Sequence, residues 1–591
     1  MREITAEIRE VLEKAFTDVG YDKSLAHVSV SDRPDLCEYQ CNGALAAAKT
    51  YKKNPFDIAT AVVEAIADDP MFEKAEAVRP GFINMTLSAE KKADYVTQMA
   101  DDERFGYEKS KSPKTIIIDY GGANVAKPLH VGHLRSAVIG ESIKRIKRYA
   151  GDTVIGDVHL GDWGLQMGQI ITELSERKPD LPYYDPDYTG DYPDEAPFDI
   201  TELEDIYPTA SGKCKTDEEY KKRCLNATYE LQHGHRGYNE ILRHIMEVSV
   251  TDLKKNYDAL NVTFDLWKGE SDAQPYIPDM VERLKAEGYA HESDGALVVD
   301  VAEPDDTKEI PPCMILKSDG AALYDTTDLA TLIWREEDYH PDEVYYVVDK
   351  RQELHFVQVF RCAKKTGIVP ESTGLHFIGF GTMNGKDGKP FKTRDGGVMR
   401  LENLVADIGD AMYDKIMENG TMDEAEARET SRKVGLAALK YGDLSNVAAK
   451  DYVFDVDRFT SFEGNTGPYI LYTMVRIKSI MKKYTEAGGS MKKITGSCIT
   501  EPDSESSHAL FTTLTRYNAA MQTAYEENAP HRICAYIYEL SNVFNRFYHE
   551  TKILAEPDEE KKAGYIALLK LTEGILSRCI DLLGFSAPER M

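Results

Sequence analysis

Residues 115–159 constrain the fold more tightly than any other part of the chain. Thr115–Asp119, TIIID, is a short run of β-branched apolar residues, the kind buried on both faces of a parallel sheet. Gly121 and Gly122 break the run and Pro128 follows. A helical apolar period then predicts a long helix from about residue 130 to residue 149. Residues 153–159, TVIGDVH, predict a second buried strand. Strand, glycine turn, helix and strand form a right-handed βαβ unit, the core of a nucleotide-binding sheet.

The chemistry sits at the start of that helix, in NVAKPLHVGH (residues 124–133). His130 and His133 are spaced i, i+3 on the first turn, so their rings point the same way. There the free backbone N–H groups and the helix dipole already favour an anion. Gly132 between them lets a flat ring or a phosphate approach the backbone closely. The arrangement suits ATP binding and stabilisation of charge building on an α-phosphate. An isolated HxGH could equally be a pair of core histidines or half a metal site. The preceding strand, the two glycines and Lys127 favour the phosphate.

The rest of the 591 residues calls for several domains. Residues 1–108 read as a small α/β module, closed by the polar stretch KSKSPK (109–114). Residues 114–400 form an α/β Rossmann-type unit with insertions at about 175–310, and residues 401–591 an all-helical bundle. Residues 179–205 hold ten acidic and no basic residues among Pro, Gly and Tyr, which predicts an exposed insertion outside the core. A net charge of −30 excludes a uniformly basic polyanion-binding surface. Nucleic acid must therefore meet local patches, and residues 431–500 carry 11 Lys/Arg against 6 Asp/Glu. Tyr469, Tyr472, Arg476 and Lys478 cluster there, an aromatic and cationic set that suits unstacked bases. No apolar run approaches the ~20 residues of a membrane span, so no membrane partner is expected. The N-terminus shows no signal-peptide pattern, and nine cysteines lie scattered without CxxC. Cys37 and Cys41 read as buried thiols, no zinc is implied, and a reducing cytoplasm and a monomer are expected.

DYGGANVAKPLHVGHLRS (119–136) resembles the first signature of class I aminoacyl-tRNA synthetases, and in particular the arginyl-tRNA synthetase family. The likeness continues in HLGDWG (159–164), KSDG (317–320), Tyr324 with DTTDLA (325–330), QELH (352–355), FKTR (391–394) and EGNTGP (463–468). It spans essentially the whole chain, with the motifs in the family's order.

This resemblance implies activation of L-arginine by ATP with Mg²⁺, then transfer to the 3′ end of tRNA(Arg). It implies catalytic roles for His130 and His133, and ATP contacts from Gly132, Met383, Lys389, Lys392 and Arg394. It places Asp119 and Asp328 at the arginine guanidinium with Tyr324 one turn away, and Asn124 and Gln352 at the α-amino and α-carboxylate end. Asp325 is the acid most easily mistaken for Asp328. A guanidinium calls for coplanar carboxylates and an aromatic face, which this set supplies. Tyr469, Tyr472 and Arg476 are expected at tRNA, in a bundle resembling the family's anticodon-binding domain. The N-terminal module resembles the one that touches the tRNA elbow, and arginine activation in the family generally needs cognate tRNA.

Three departures stand out. Gly121-Gly122 replaces small hydroxyl residues, YIALLK (565–570) stands near where Asp-Ala-Leu-Arg would be spelled, and Pro390 replaces the first lysine of the second signature. Lys127 is the expected substitute for that missing cation. Two rival readings are a class I synthetase for another amino acid and a non-catalytic RNA-binding relative. The acids Asp119 and Asp328 disfavour the first, and intact His130, His133 and Lys127 the second.

Overall fold

Alternation along one strand organises the middle of the molecule. In the computed structural model, β1 (Thr115–Asp119) sends Ile116 and Ile118 into one apolar core and Ile117 into another, as the two-residue period of a strand requires. The structure describes all residues except 1, 2, 32, 34, 319, 390, 392–398 and 419–421. Helix α1 (Val131–Ala150) carries the chain to β2 (Thr153–Asp157), which pairs parallel with β1. Helices α2 (Leu165–Arg177), α3 (Ile200–Thr216), α4 (Glu218–Gln232) and α5 (Arg236–Ala259) form a helical insertion. Helix α6 (Tyr324–Tyr339), β3 (Glu343–Asp349), α7 (Glu353–Lys365) and β4 (Gly374–Phe380) complete the unit.

The sheet order is β4-β3-β1-β2, parallel throughout. Because the chain leaves β1 for β2 on one side and returns to β3 on the other, the strand order reverses between β1 and β3. A crevice opens there beyond the carboxyl ends of the strands, the place where such sheets bind ligands. The linker 109–114 is exposed and irregular, as its composition predicts.

The acidic stretch departs from expectation. Its carboxylates are largely solvated, but Tyr183, Phe198 and Leu203 are buried in the main core. The chain forms a short 3-10 turn at Pro182–Tyr184 and then enters α3 through an Asp199–Glu202 capping box. Density of acids signals exposure of those side chains, while the interleaved aromatics anchor the segment.

The N-terminal module is a four-stranded antiparallel sheet, Val28–Val30, Tyr39–Cys41, Phe82–Leu87 and Phe72–Val78 in that order, backed by helices. It docks on the C-terminal bundle through polar contacts. Tyr39 Oη lies 3.2 Å from Thr515 Oγ1, and the Thr512 hydroxyl donates to Glu38, which is also paired with buried Lys92. Among the described residues no helix is long and apolar enough to cross a membrane.

The two signature regions are joined through Arg135, on the buried face of α1. Its Nε bonds Asp443 at 3.0 Å, on α8 (Glu424–Leu444), and its Nη1 donates to the carbonyls of Gly381 and Lys450. Those carbonyls flank a two-residue parallel pairing of Met383–Asn384 with Tyr452–Val453. Asp443 also accepts from Tyr452 Oη at 2.8 Å. Arg135→Met leaves Asp443 buried without its cation, a change that costs about 3–5 kcal/mol. It should lower the apparent melting temperature clearly, with partial recovery on adding Asp443→Asn; an unchanged melting temperature would show that the pair does not hold these elements.

Candidate active site

Both signature histidines are fixed by their own backbone. His130 is the N-cap of α1, and its Nδ1 accepts the Gly132 N–H at 3.0 Å. His133 Nδ1 accepts the His130 N–H at 3.1 Å. With both Nδ1 atoms accepting, both rings carry their proton on Nε2 and present it as a donor. Burial, then the Lys127 charge, lowers the His130 pKa. Burial and the neighbouring His130 push His133 down to about 3. The pair is therefore two neutral N–H donors, with ring centres 3.9 Å apart. Gly132 has a local reason as well: a Cβ there would lie 2.7 Å from His130 Cε1, inside the ring that caps the helix. Gly121 adopts φ +98°, and a Cβ would press on Phe264 and Tyr257 at 3.0 Å, so a hydroxyl residue does not fit this turn.

Asp119 has a different partner from the one expected. Its Oδ2 bonds Arg335 Nη2 at 2.7 Å, and Asp157 Oδ2 bonds the same nitrogen at 2.7 Å. Arg335 Nη1 donates to Tyr346 Oη at 3.2 Å. The carboxylate at the end of β1 is thus engaged by a guanidinium of the protein itself. Asp119, Asp157 and His159 have metal-like spacing, but Arg335 already supplies the cation there.

Asp328 is half-buried, one turn after Tyr324 on α6. One of its oxygens lies 2.6 Å from His355 Nε2, while Asp325 lies 2.8 Å from His355 Nδ1. Burial alone would lower His355, but its hydrogen bonds to Asp325 and Asp328 prevail and hold it up at about 10. The imidazolium bridges both acids; Asp325 is buried and also accepts the Met314 N–H at 3.3 Å, whereas Asp328 is half-buried. Tyr324 is 67% exposed at the mouth.

A second acid, not singled out in the sequence, is Glu270. Burial first, then the charges of Asp162 and Asp328, push its pKa up to about 8. Its backbone N–H bonds Leu160 O at 3.0 Å beside the bridge between Leu160 and Gly269. Asp162 is locked beneath it by Ser271, and a Cβ on Gly269 would lie 2.4 Å from Asp162 Oδ2. Burial and two neighbouring acids together disfavour its charged form, and a cation placed beside it would restore that form. The only sequence signal was Gly269-Glu270-Ser271, in a segment read as insertion.

Asn124 pairs with Gly161 in a backbone bridge at the crevice, and Gln352 is exposed at the end of β3. Met383 is buried in the short pairing with Tyr452–Val453. Lys389 is exposed on the turn that follows, its N–H donating to Asp387. Lys392 and Arg394 lie outside the described residues. Lys127 is half-buried, its Nζ 4.5 Å from the centre of the Tyr207 ring. Tyr469, Tyr472 and Arg476 lie on α9 (Gly467–Glu486), far along the chain from the crevice. Arg476 sits between the rings of Tyr472 and Tyr548, 4.9 and 5.0 Å from their centres, and donates to Asn545. Tyr469 donates to Asn542 at 2.7 Å.

This sheet, with paired histidines at its first helix and a carboxylate pocket beside them, defines a class I aminoacyl-tRNA synthetase. Residues 95–456 match the catalytic domain of class I (R) tRNA synthetases, 470–591 the DALR anticodon binding domain, and 2–87 the arginyl tRNA synthetase N-terminal domain. The chain belongs to the arginyl-tRNA synthetase family. It is 63% identical to the arginine–tRNA ligase of Agathobacter rectalis and 56% identical to that of Alkaliphilus oremlandii, each over 100% of both chains. The fold is shared with the arginyl-tRNA synthetases of Plasmodium falciparum (TM-score 0.83, 23% identity) and Thermus thermophilus (TM-score 0.78, 21% identity), each covering 100% of both chains.

If Glu270 meets the substrate guanidinium, arginine binding must displace its proton below pH 8. The arginine KM should then fall as pH rises from 6 to 8, by up to about tenfold per unit, and level off above. Glu270→Gln should remove that slope and raise KM; a slope retained in Glu270→Gln would assign the titration elsewhere.

Proposed function

We infer that the chain activates L-arginine with ATP, forming arginyl-adenylate and pyrophosphate, and then transfers the arginyl group to the 3′ end of tRNA(Arg). The observation that supports this reading is the histidine pair capping the first helix of a class I sheet with both Nδ1 atoms occupied by backbone N–H groups, so that Nε2–H is free to donate. The arginine carboxylate oxygen attacks the α-phosphorus, and the bond to the bridging oxygen of pyrophosphate breaks. His130 and His133 donate to the phosphate oxygens as charge builds on them, and Lys127 adds a positive charge. Asp328 and Glu270 hold the guanidinium, Tyr324 closes the mouth over it, and Asn124 and Gln352 orient the reacting end. In the second step a terminal ribose hydroxyl of the tRNA attacks the carbonyl carbon and AMP leaves.

We assign Asp119 a structural part in this scheme, binding Arg335 rather than substrate. ATP enters with Mg²⁺. Gly132, Met383, Lys389, Lys392 and Arg394 are the residues proposed to surround it. Tyr469, Tyr472 and Arg476 offer aromatic faces and a guanidinium to tRNA bases, and the module of residues 1–108 is proposed to contact the tRNA elbow.

His130→Ala or His133→Ala should each lower turnover in pyrophosphate exchange, measured with tRNA(Arg) present, by about 10²–10³, with a smaller change in KM. A loss confined to the ATP KM would reduce the histidines to nucleotide binding. Lys127→Ala should lower adenylate formation by about 10²-fold while tRNA binding is kept, and Lys127→Arg should recover part of it. Near-normal exchange in Lys127→Ala would return the triphosphate charge to the signature loop.

A further inference from the structure

One face of the insertion helix α3 reaches both signature regions. Glu204 and Tyr207 stand three residues apart and so share that face. The Tyr207 ring lies against the Lys127 ammonium at 4.5 Å. The Glu204 carboxylate bonds Arg400 at 2.9 Å, and Arg400 forms an antiparallel backbone bridge with His130, the N-cap of α1. Neighbouring bonds from Val131 N to Met399 O and from Leu401 N to Leu129 O extend that seam. The strand leaving the second signature is therefore laid along the first, and α3 is pinned over the seam. Tyr207 also lies near Tyr324, contributing with burial and Glu270 to the raised pKa of that phenol. Pro208 has no N–H for the Glu204 carbonyl, so the helix is irregular where these side chains leave it.

Lysine has a flexible four-carbon stem, and an unrestrained ammonium at an open mouth samples many positions. A carboxylate would restrain it but would also neutralise it and compete with the triphosphate. An aromatic face orients the ammonium by attraction to the ring while leaving its full charge for an incoming anion. Among the described residues the Tyr207 hydroxyl has no hydrogen-bond partner, so the ring is the part in use. We propose that Tyr207 is a positioning residue for adenylate formation: its ring holds the Lys127 ammonium beside the N-terminus of α1, and the Glu204–Arg400 pair keeps α3 in place to do so. This rests on Lys127 being the phosphate-facing cation. The insertion then serves arginine activation as well as contributing to the core.

The test is a mutant cycle in pyrophosphate exchange with tRNA(Arg) present. It compares the parent chain, Tyr207→Leu, Tyr207→Phe, Lys127→Ala and the double variant Lys127→Ala/Tyr207→Leu. Tyr207→Leu should lower kcat about tenfold with little change in the arginine KM, and Tyr207→Phe should restore most of it. In the Lys127→Ala background Tyr207→Leu should cause no further loss. An equal loss in both backgrounds would mean a merely structural ring and would overturn the proposal. So would an unchanged kcat in Tyr207→Leu alongside a large loss in Lys127→Ala. If Lys127→Ala itself leaves exchange intact, the reading of Lys127 fails, and the positioning role fails with it.

Discussion

A guanidinium belonging to the protein organises the pocket for one that does not. Arg335 is fully buried and bonds the carboxylates that end β1 and β2, with the Tyr346 hydroxyl of β3 at its other nitrogen. It thereby ties α6 to three adjacent strands at the crevice. Tyr324 and Asp328, two turns or more earlier on the same helix, take their places because Arg335 anchors its far end. Burying three charges is expensive, and removing the cation would leave two carboxylates facing each other in the core. Hence Asp119, which lies closest to the signature motif in sequence, is spent on architecture. His355 repeats the device at smaller scale, fixing Asp328 with one nitrogen and occupying Asp325 with the other.

The phosphate side follows a different electrostatic rule. A chain of net charge −30 must attract ATP and tRNA through local features. The histidines contribute no net charge, since burial keeps them neutral, and they act as oriented dipoles on a helix start that already favours anions. The positive charge is proposed to come from Lys127, whose ammonium lies against the Tyr207 ring. On the bundle, whose segment 431–500 is locally basic, Arg476 lies against the rings of Tyr472 and Tyr548, the set proposed for tRNA bases.

Much of this was legible from sequence because the signals were local. The period along β1, the glycine turn and the i, i+3 histidines each rest on a few adjacent residues, and the strand and helix stand where those patterns put them. What was illegible depends on distant pairing. Asp119 meets Arg335 across 216 positions, which no spacing argument reveals. Glu270 gains its meaning only when its segment folds back on Leu160 and brings it beside Asp162 and Asp328. The acidic insertion misled for a related reason: composition reported its solvated side, while Tyr183, Phe198 and Leu203 carry the side that packs. Tyr207 lies two residues beyond that stretch, on the helix the stretch leads into, and showed no motif at all.

The central claim is that two carboxylates, Asp328 and Glu270, select substrate by its positive charge. The most direct measurement is the ratio of kcat/KM for arginine over citrulline in tRNA-dependent pyrophosphate exchange, since citrulline keeps the shape and lacks the charge. A site in which a neutral ligand leaves Glu270 without a balancing cation predicts a ratio of at least about 10³. A ratio within about tenfold would contradict it, because shape alone would then account for the choice.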